Sequence, residues 1–156
     1  MDMIRGYKRK ATKKDCKKLA KTMREADCTE VMASHGHTPY QALINSYSVS
    51  DVCYSMIYKD EVVGMFGITK LDNLVGSPWL LGSNLMTHPA IVVPFLRQSK
   101  EWIARKQSKY PMLVNYVHAN NTASLKWLKY LGFTFIREVE MSDQPFYEFV
   151  RIKNNV

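Results

Sequence analysis

Residues 120–133 read NNTASLKWLKYLGF, directly after the apolar run MLVNYVHA of residues 112–119. The run is short and rich in apolar and β-branched side chains, so it reads as a buried strand. In the stretch after it, Leu125, Trp127, Leu128 and Leu131 form an apolar stripe that predicts a helix over residues 124–131. Asn121 stands where a helix N-cap belongs, and Gly132 supplies the C-terminal cap. A strand that passes through a capped turn into an amphipathic helix is the building unit of a layered α/β sheet.

The neighbouring segments extend this unit in both directions. Upstream, residues 89–108 carry Val92, Val93, Phe95, Leu96, Trp102 and Ile103 in a pattern that fits a long helix, with Pro94 predicted to confine the regular helix to the residues after it. Tyr110-Pro111 ends that helix. WLLGS (residues 79–83) reads as a buried strand and KLDNLVGSP (residues 70–78) as a polar loop. DVCYSMIY (51–58) and VVGMFGIT (62–69), joined by Lys59-Asp60-Glu61, predict an antiparallel hairpin in which Gly64 and Gly67 mark a bulge or a close backbone approach. Thr38 and Pro39 open a helix through Ala42, Leu43 and Tyr47. Cys16, Leu19, Ala20, Met23 and Ala26 predict one amphipathic helix over residues 12–26, capped by Thr12 with Asp15 completing a capping box. Residues 3–7 make a short candidate strand, and residues 133–141 and 145–152 a closing hairpin.

This order predicts an α/β (α+β) domain whose central mixed sheet of about six to seven strands has helices on both faces. A chain of 156 residues, 46% apolar, buries roughly two-thirds of its unfolded surface around one core, so residues 1–156 read as a single domain. MDMIRGYKRK lacks the apolar centre of a signal peptide, and no stretch approaches the ~20 apolar residues of a membrane span, which predicts a soluble intracellular chain without a membrane partner. Cys16, Cys28 and Cys53 form no CxxC pair and have no histidine at ligand spacing, so reduced thiols and no metal are expected.

The net charge of +8 is carried at one end: residues 1–24 hold ten Lys or Arg against Asp2 and Asp15, and residues 25–156 hold twelve of each sign. Three readings of the basic helix follow: a solvated face, a site for nucleic acid or another polyanion, or a site for an acidic protein partner. The solvated face is the simplest. One basic helix without interleaved aromatics offers phosphate affinity but no means of reading bases.

In NNTASLKWLKYLGF, Asn121, Ser124, Gly132 and Phe133 match the spacing of the cofactor segment of the GCN5-related N-acetyltransferases (GNAT), and the order of elements resembles that family's fold. The hairpin YKDEVVGMFGITK resembles its second and third strands. SPWLLGSN and FLRQSKEWIARKQSKYPMLVNYVHANN are similar to a phage-encoded branch that includes internal virion protein A, over about residues 12–150.

The resemblance implies a cleft between two splayed strands where the pantetheine arm of acetyl-CoA hydrogen-bonds to backbone, with its pyrophosphate on amides at a helix start. The family's glycine-rich phosphate loop is missing from SNLMTHPAIVVPF, where Pro89 and Pro94 remove amide donors. The remaining candidates to contact the phosphates are Thr87, His88 and the amides of Leu85 and Met86, with Asn121 and Ser124 approaching the cofactor. The family's acid tyrosine falls on Leu128, which donates no proton. For a general base the chain offers Asn84, Asn115, Tyr116 and His118, of which His118 has the most suitable ordinary pKa. Trp79 reads as core or as the wall of a substrate pocket.

Two functions are therefore expected. One is an N-acetyltransferase of phage origin, acting on a protein or small-molecule amine with an oxyanion held by amides near Leu85. The other is a GNAT-fold protein that has lost catalysis and binds a virion or host protein. The resemblance implies the host-cell cytoplasm or the virion interior as its place.

Overall fold

The computed structural model describes residues 6–153. Seven strands form one mixed sheet: β1 (Tyr7–Lys10), β2 (Ser50–Tyr58), β3 (Glu61–Lys70), β4 (Val75–Gly82), β5 (Met112–His118), β6 (Thr134–Met141) and β7 (Gln144–Ile152). Their spatial order is β1-β2-β3-β4-β5-β7-β6, antiparallel throughout except at the β4–β5 join. Five helices cover it: α1 (Lys13–Ala20), α2 (Glu25–His35), α3 (Pro39–Val49), α4 (Pro89–Lys106) and α5 (Thr122–Tyr130).

The period-two alternation of the strands divides the core between the two faces. Met65 and Leu81 join Cys16, Leu19, Val31 and Leu43 under α1, α2 and α3. Phe66 joins Trp102, Ile103, Leu131 and Phe149 under α4 and α5. Both hairpin turns, Lys59-Asp60 and Ser142-Asp143, place two consecutive residues at positive φ, the two-residue geometry whose twist suits paired strands. Gly67 is where a close approach is required, because a side chain there would run into the carbonyl of Val52.

Several boundaries differ from expectation, each for a local reason. The capping boxes at Thr12/Asp15 and Thr38/Gln41 are both formed. The expected helix over residues 12–26 is two elements, however. Met23 bridges Ser83, and the Arg24 amide donates to Gly82 O at 2.8 Å, so this short segment is taken by the end of β4 and the chain restarts as α2. Three helices, not two, therefore precede β2. In the expected loop over residues 70–78, the Asp72 carboxylate accepts from the amides of Leu74 and Val75, which tightens the turn and lets β4 begin at Val75. Pro94 sits inside α4 on its exposed side, so α4 starts at Pro89 rather than after Pro94. The expected strand over residues 3–7 lies mostly outside the described residues, and β1 spans Tyr7–Lys10. Among the described residues, no helix is long and apolar enough to cross a membrane.

Candidate active site

β4 and β5 run parallel but pair only at Val75–Met112 and Gly76–Leu113. Beyond this point they diverge around a cavity of about 450 Å³. Its apolar wall includes Trp79, Phe95, Leu96, Trp127 and Leu128, and its polar rim includes Ser34, His35 and Asn45. Near the narrow end, Asn115 Nδ2 donates to Pro78 O at 2.8 Å and ties the strands together by a side chain where the backbone ladder has ended.

The backbone of β4 fixes which groups look into this opening. Gly82 N–H donates to Asp27 Oδ2 at 2.9 Å, and Gly82 O accepts from the Arg24 amide, so Gly82 turns its polar groups away from β3. Pro78 O, taken by Asn115, points the same way. Alternation along a strand places Leu80, midway between them, in the same orientation. The N–H and C=O of Leu80 therefore face the opening.

At the wide end lies a buried polar cluster. Arg24 and Asp27, 6% and 2% exposed, form a two-pronged ion pair through Nε–Oδ2 at 3.1 Å and Nη2–Oδ1 at 2.7 Å. Arg24 Nη2 also donates to Asn121 Oδ1 at 2.9 Å and Ser124 Oγ at 3.2 Å, and the guanidinium lies over the Trp127 ring. The Asn121 amide nitrogen donates to Asp27 Oδ1 and Glu30 Oε2, and its oxygen caps α5 through the Ser124 amide. Both ends of the Asn121 amide are thus occupied by protein groups.

Glu30 stands on the cavity wall and accepts from the His118 amide at 2.6 Å. Burial, then the negative charge of Asp27, push its carboxyl up to about 8 against the pull of the His118 amide, Arg24 and Asn121. His118 itself is 5% exposed. Its Nδ1 lies 3.0 Å from the Asn120 amide, and its Nε2 meets Gln144 Oε1 at 2.6 Å. Both ring nitrogens are engaged.

The phosphate-contact candidates occupy a 3₁₀ turn at Asn84–Thr87. The Leu85 amide donates to Ser83 Oγ, Met86 to Ser83 O, and His88 to Leu85 O; the Thr87 hydroxyl donates to Asn84 O. His88 Nδ1 caps α4 by accepting from Ala90, and Pro89 has no N–H. The Met86 side chain is fully buried in the core. The amides of Leu85, Met86 and His88 are thus engaged within the turn, while the Leu80 backbone beside it faces the opening. Asn121 and Ser124 lie together at the wide end, Leu85–His88 form their own turn after β4, and Asn84 begins that turn.

The chain superimposes on solved structures along nearly its whole length. Ard1 from Thermoplasma volcanium matches with a TM-score of 0.73 at 15% identity, over 97% of this chain and 100% of that one. A GNAT-family acetyltransferase from Streptococcus pneumoniae matches at 0.64 and 14%, over 96% and 99%. The ribosomal-protein-S5-alanine acetyltransferase from Vibrio fischeri matches at 0.66 and 14%, over 99% and 97%. This is the GNAT fold. No family model and no curated protein matches the GNAT-fold chain in sequence.

Sequence reasoning missed Arg24, Asp27, Glu30 and Leu80. Arg24, Asp27 and Glu30 recur at i, i+3 spacing, which sets them on one helical face. Leu80 contributes only backbone, which no residue type announces.

Proposed function

We propose that the β4–β5 opening is an acyl-donor cleft and that the protein transfers an acetyl group from acetyl-CoA to an amine. The carrying observation is that β4 and β5 pair at only two positions and then part around a cavity faced by the free backbone of Leu80. When bound, acetyl-CoA supplies an activated thioester carbonyl. The Leu80 N–H is placed to donate to an oxygen that gains negative charge, in a pocket where apolar walls strengthen such a bond. Glu30 takes the proton that an attacking amine releases; with a pKa of about 8 it is a far better base than an ordinary carboxylate. Asp27 and Asn121 hold Glu30 and Arg24 in place. The donor is held through its pantetheine arm and acyl end, because the amides of Leu85, Met86 and His88 are already engaged within their own turn.

The acceptor reaches the cleft past Ser34, His35 and Asn45, a polar rim suited to an amine. The GNAT-fold neighbours named as ribosomal-protein-alanine acetyltransferases support a protein amine as one acceptor class. The sequence resemblance to phage proteins supports a setting in the infected host cell or the virion, with a host or virion protein as acceptor.

A second reading, binding without catalysis, is favoured by the self-satisfied turn at Leu85–His88. Thiol release from acetyl-CoA in the presence of primary amines separates the two. Acyl transfer predicts amine-dependent release that falls about 10²–10⁴-fold in Glu30→Gln. Cofactor binding without release in the wild-type protein supports the second.

A further inference from the structure

We propose that the β1 edge of the sheet, together with the solvent face of α1 that starts beside it, binds the phosphodiester backbone of nucleic acid, without reading its sequence, through their lysines. On one face lie Lys13, Lys14, Lys17, Lys18 and Lys21, all exposed. The buried side of α1, Cys16 and Leu19, anchors them against β2 and β3. On the other face, Lys8 Nζ sits over the rings of Tyr54 and Trp102, and Lys106 Nζ over Trp102. Arg105 lies close enough for its charge, with that of Lys106, to act on Lys8. Lys10, exposed on β1, shares the face of Lys8 by strand alternation.

Among the described residues none of these nine cations is ion-paired; the paired ones are Arg9, Arg24, Lys109 and Arg137. Burial, then Arg105 and Lys106, push the Lys8 ammonium below the usual lysine range. Around Lys8 the cations are crowded, with Asp51 the acidic group whose field reaches Lys106, and an incoming phosphate relieves that crowding.

Charge density identifies the partner. From Lys13 to Lys21 the chain advances about 12 Å along a helix axis, so five lysines fall at intervals of roughly 3 Å. A DNA duplex carries one phosphate charge per ~1.7 Å. The exposed face of α1 has no apolar anchor that a bilayer interface would take up. The rings under Lys8 are packed into the core rather than offered for base stacking, Trp102 being 7% exposed, and stacking on Tyr7, exposed on β1, would tolerate any base.

The test is fluorescence anisotropy of a labelled short DNA duplex of mixed sequence with the full chain, between about 50 and 200 mM salt. The wild-type protein should bind with steep salt dependence. The pairs Lys13→Glu/Lys17→Glu and Lys8→Glu/Arg105→Glu should each lower affinity at least about tenfold and flatten the log–log salt slope by about 2. Thermal melting checks that both fold, and the α1 pair, wholly in solvent, decides the matter if the other is unstable. No binding at about 50 mM salt overturns the proposal and leaves the lysines as guards of an exposed sheet edge. Wild-type affinity in the α1 pair overturns it too, as does capture by anionic vesicles without capture by DNA.

Discussion

The Arg24 guanidinium donates to the Asn121 side-chain oxygen at 2.9 Å across 97 positions of sequence. This bond joins the segment that enters α2 to the start of α5, and with the Asp27–Gly82 bond it closes the wide end of the β4–β5 opening with protein groups. Asn121 therefore acts as a cap and as the centre of a buried polar network. Any contact with a bound donor comes in addition to these partners.

Removing one member of this network should be costly. Arg24→Ala leaves the Asp27 carboxylate buried without its cation, and a loss of about 3–5 kcal/mol in urea unfolding is expected. Arg24→Met combined with Asp27→Leu should recover only the part of that loss due to the lone charge, because the Gly82 amide and the Asn121 side chain still lose their partners.

Glu30 gives the protein a pH signature. Its carboxyl is raised to about 8 in the folded state, so between about pH 4.5 and 8 the folded form holds a proton that the unfolded form has released. Stability should fall as pH rises through this window, and Glu30→Gln should flatten the fall. Acyl transfer should respond in the opposite sense, rising with pH to a plateau above about 8 as Glu30 ionises.

Asp15 sets the acid limit. Burial opposes its ionisation, but hydrogen bonds from Arg9, Ser55 and Thr12 outweigh that and hold the carboxyl at about 2. Its contribution is present above the ordinary aspartate range and is lost as pH falls toward 2. Asp15→Asn should move the acid-unfolding midpoint upward, read by circular dichroism.

Gly76 forms the last β4–β5 pair, and a Cβ there would stand 2.8 Å from Ile68 Cγ2 and 2.9 Å from the Tyr110 ring. Gly76→Ala should cost about 1–3 kcal/mol through overpacking, seen as a lower urea midpoint.

Much of the architecture was legible because local signals and the fold agree. The stripe of α5, its Asn121 and Gly132 caps, the hairpin of β2 and β3, the Thr12 capping box and the Thr38 cap are all formed by neighbours in sequence. What was illegible depends on distant partners. Arg24 leaves the helix because Gly82 claims its amide, and Lys13 to Ala26 alone contain nothing that announces this. The site divides in the same way. The position of Asn121 was readable from its spacing, but its occupation by Arg24, Asp27 and Glu30 required the third dimension. The Leu80 backbone facing the opening is likewise set by the parting of two strands, which no residue type announces.

Calorimetric titration of the full chain with acetyl-CoA and, separately, with acetyl-pantetheine tests the cleft most directly. With an arm-binding opening and the amides of Leu85, Met86 and His88 engaged in their own turn, both donors should bind, with dissociation constants within about threefold of each other, a difference below about 1 kcal/mol. Absence of binding by either donor, or acetyl-CoA tighter than acetyl-pantetheine by about a hundredfold, would contradict the account.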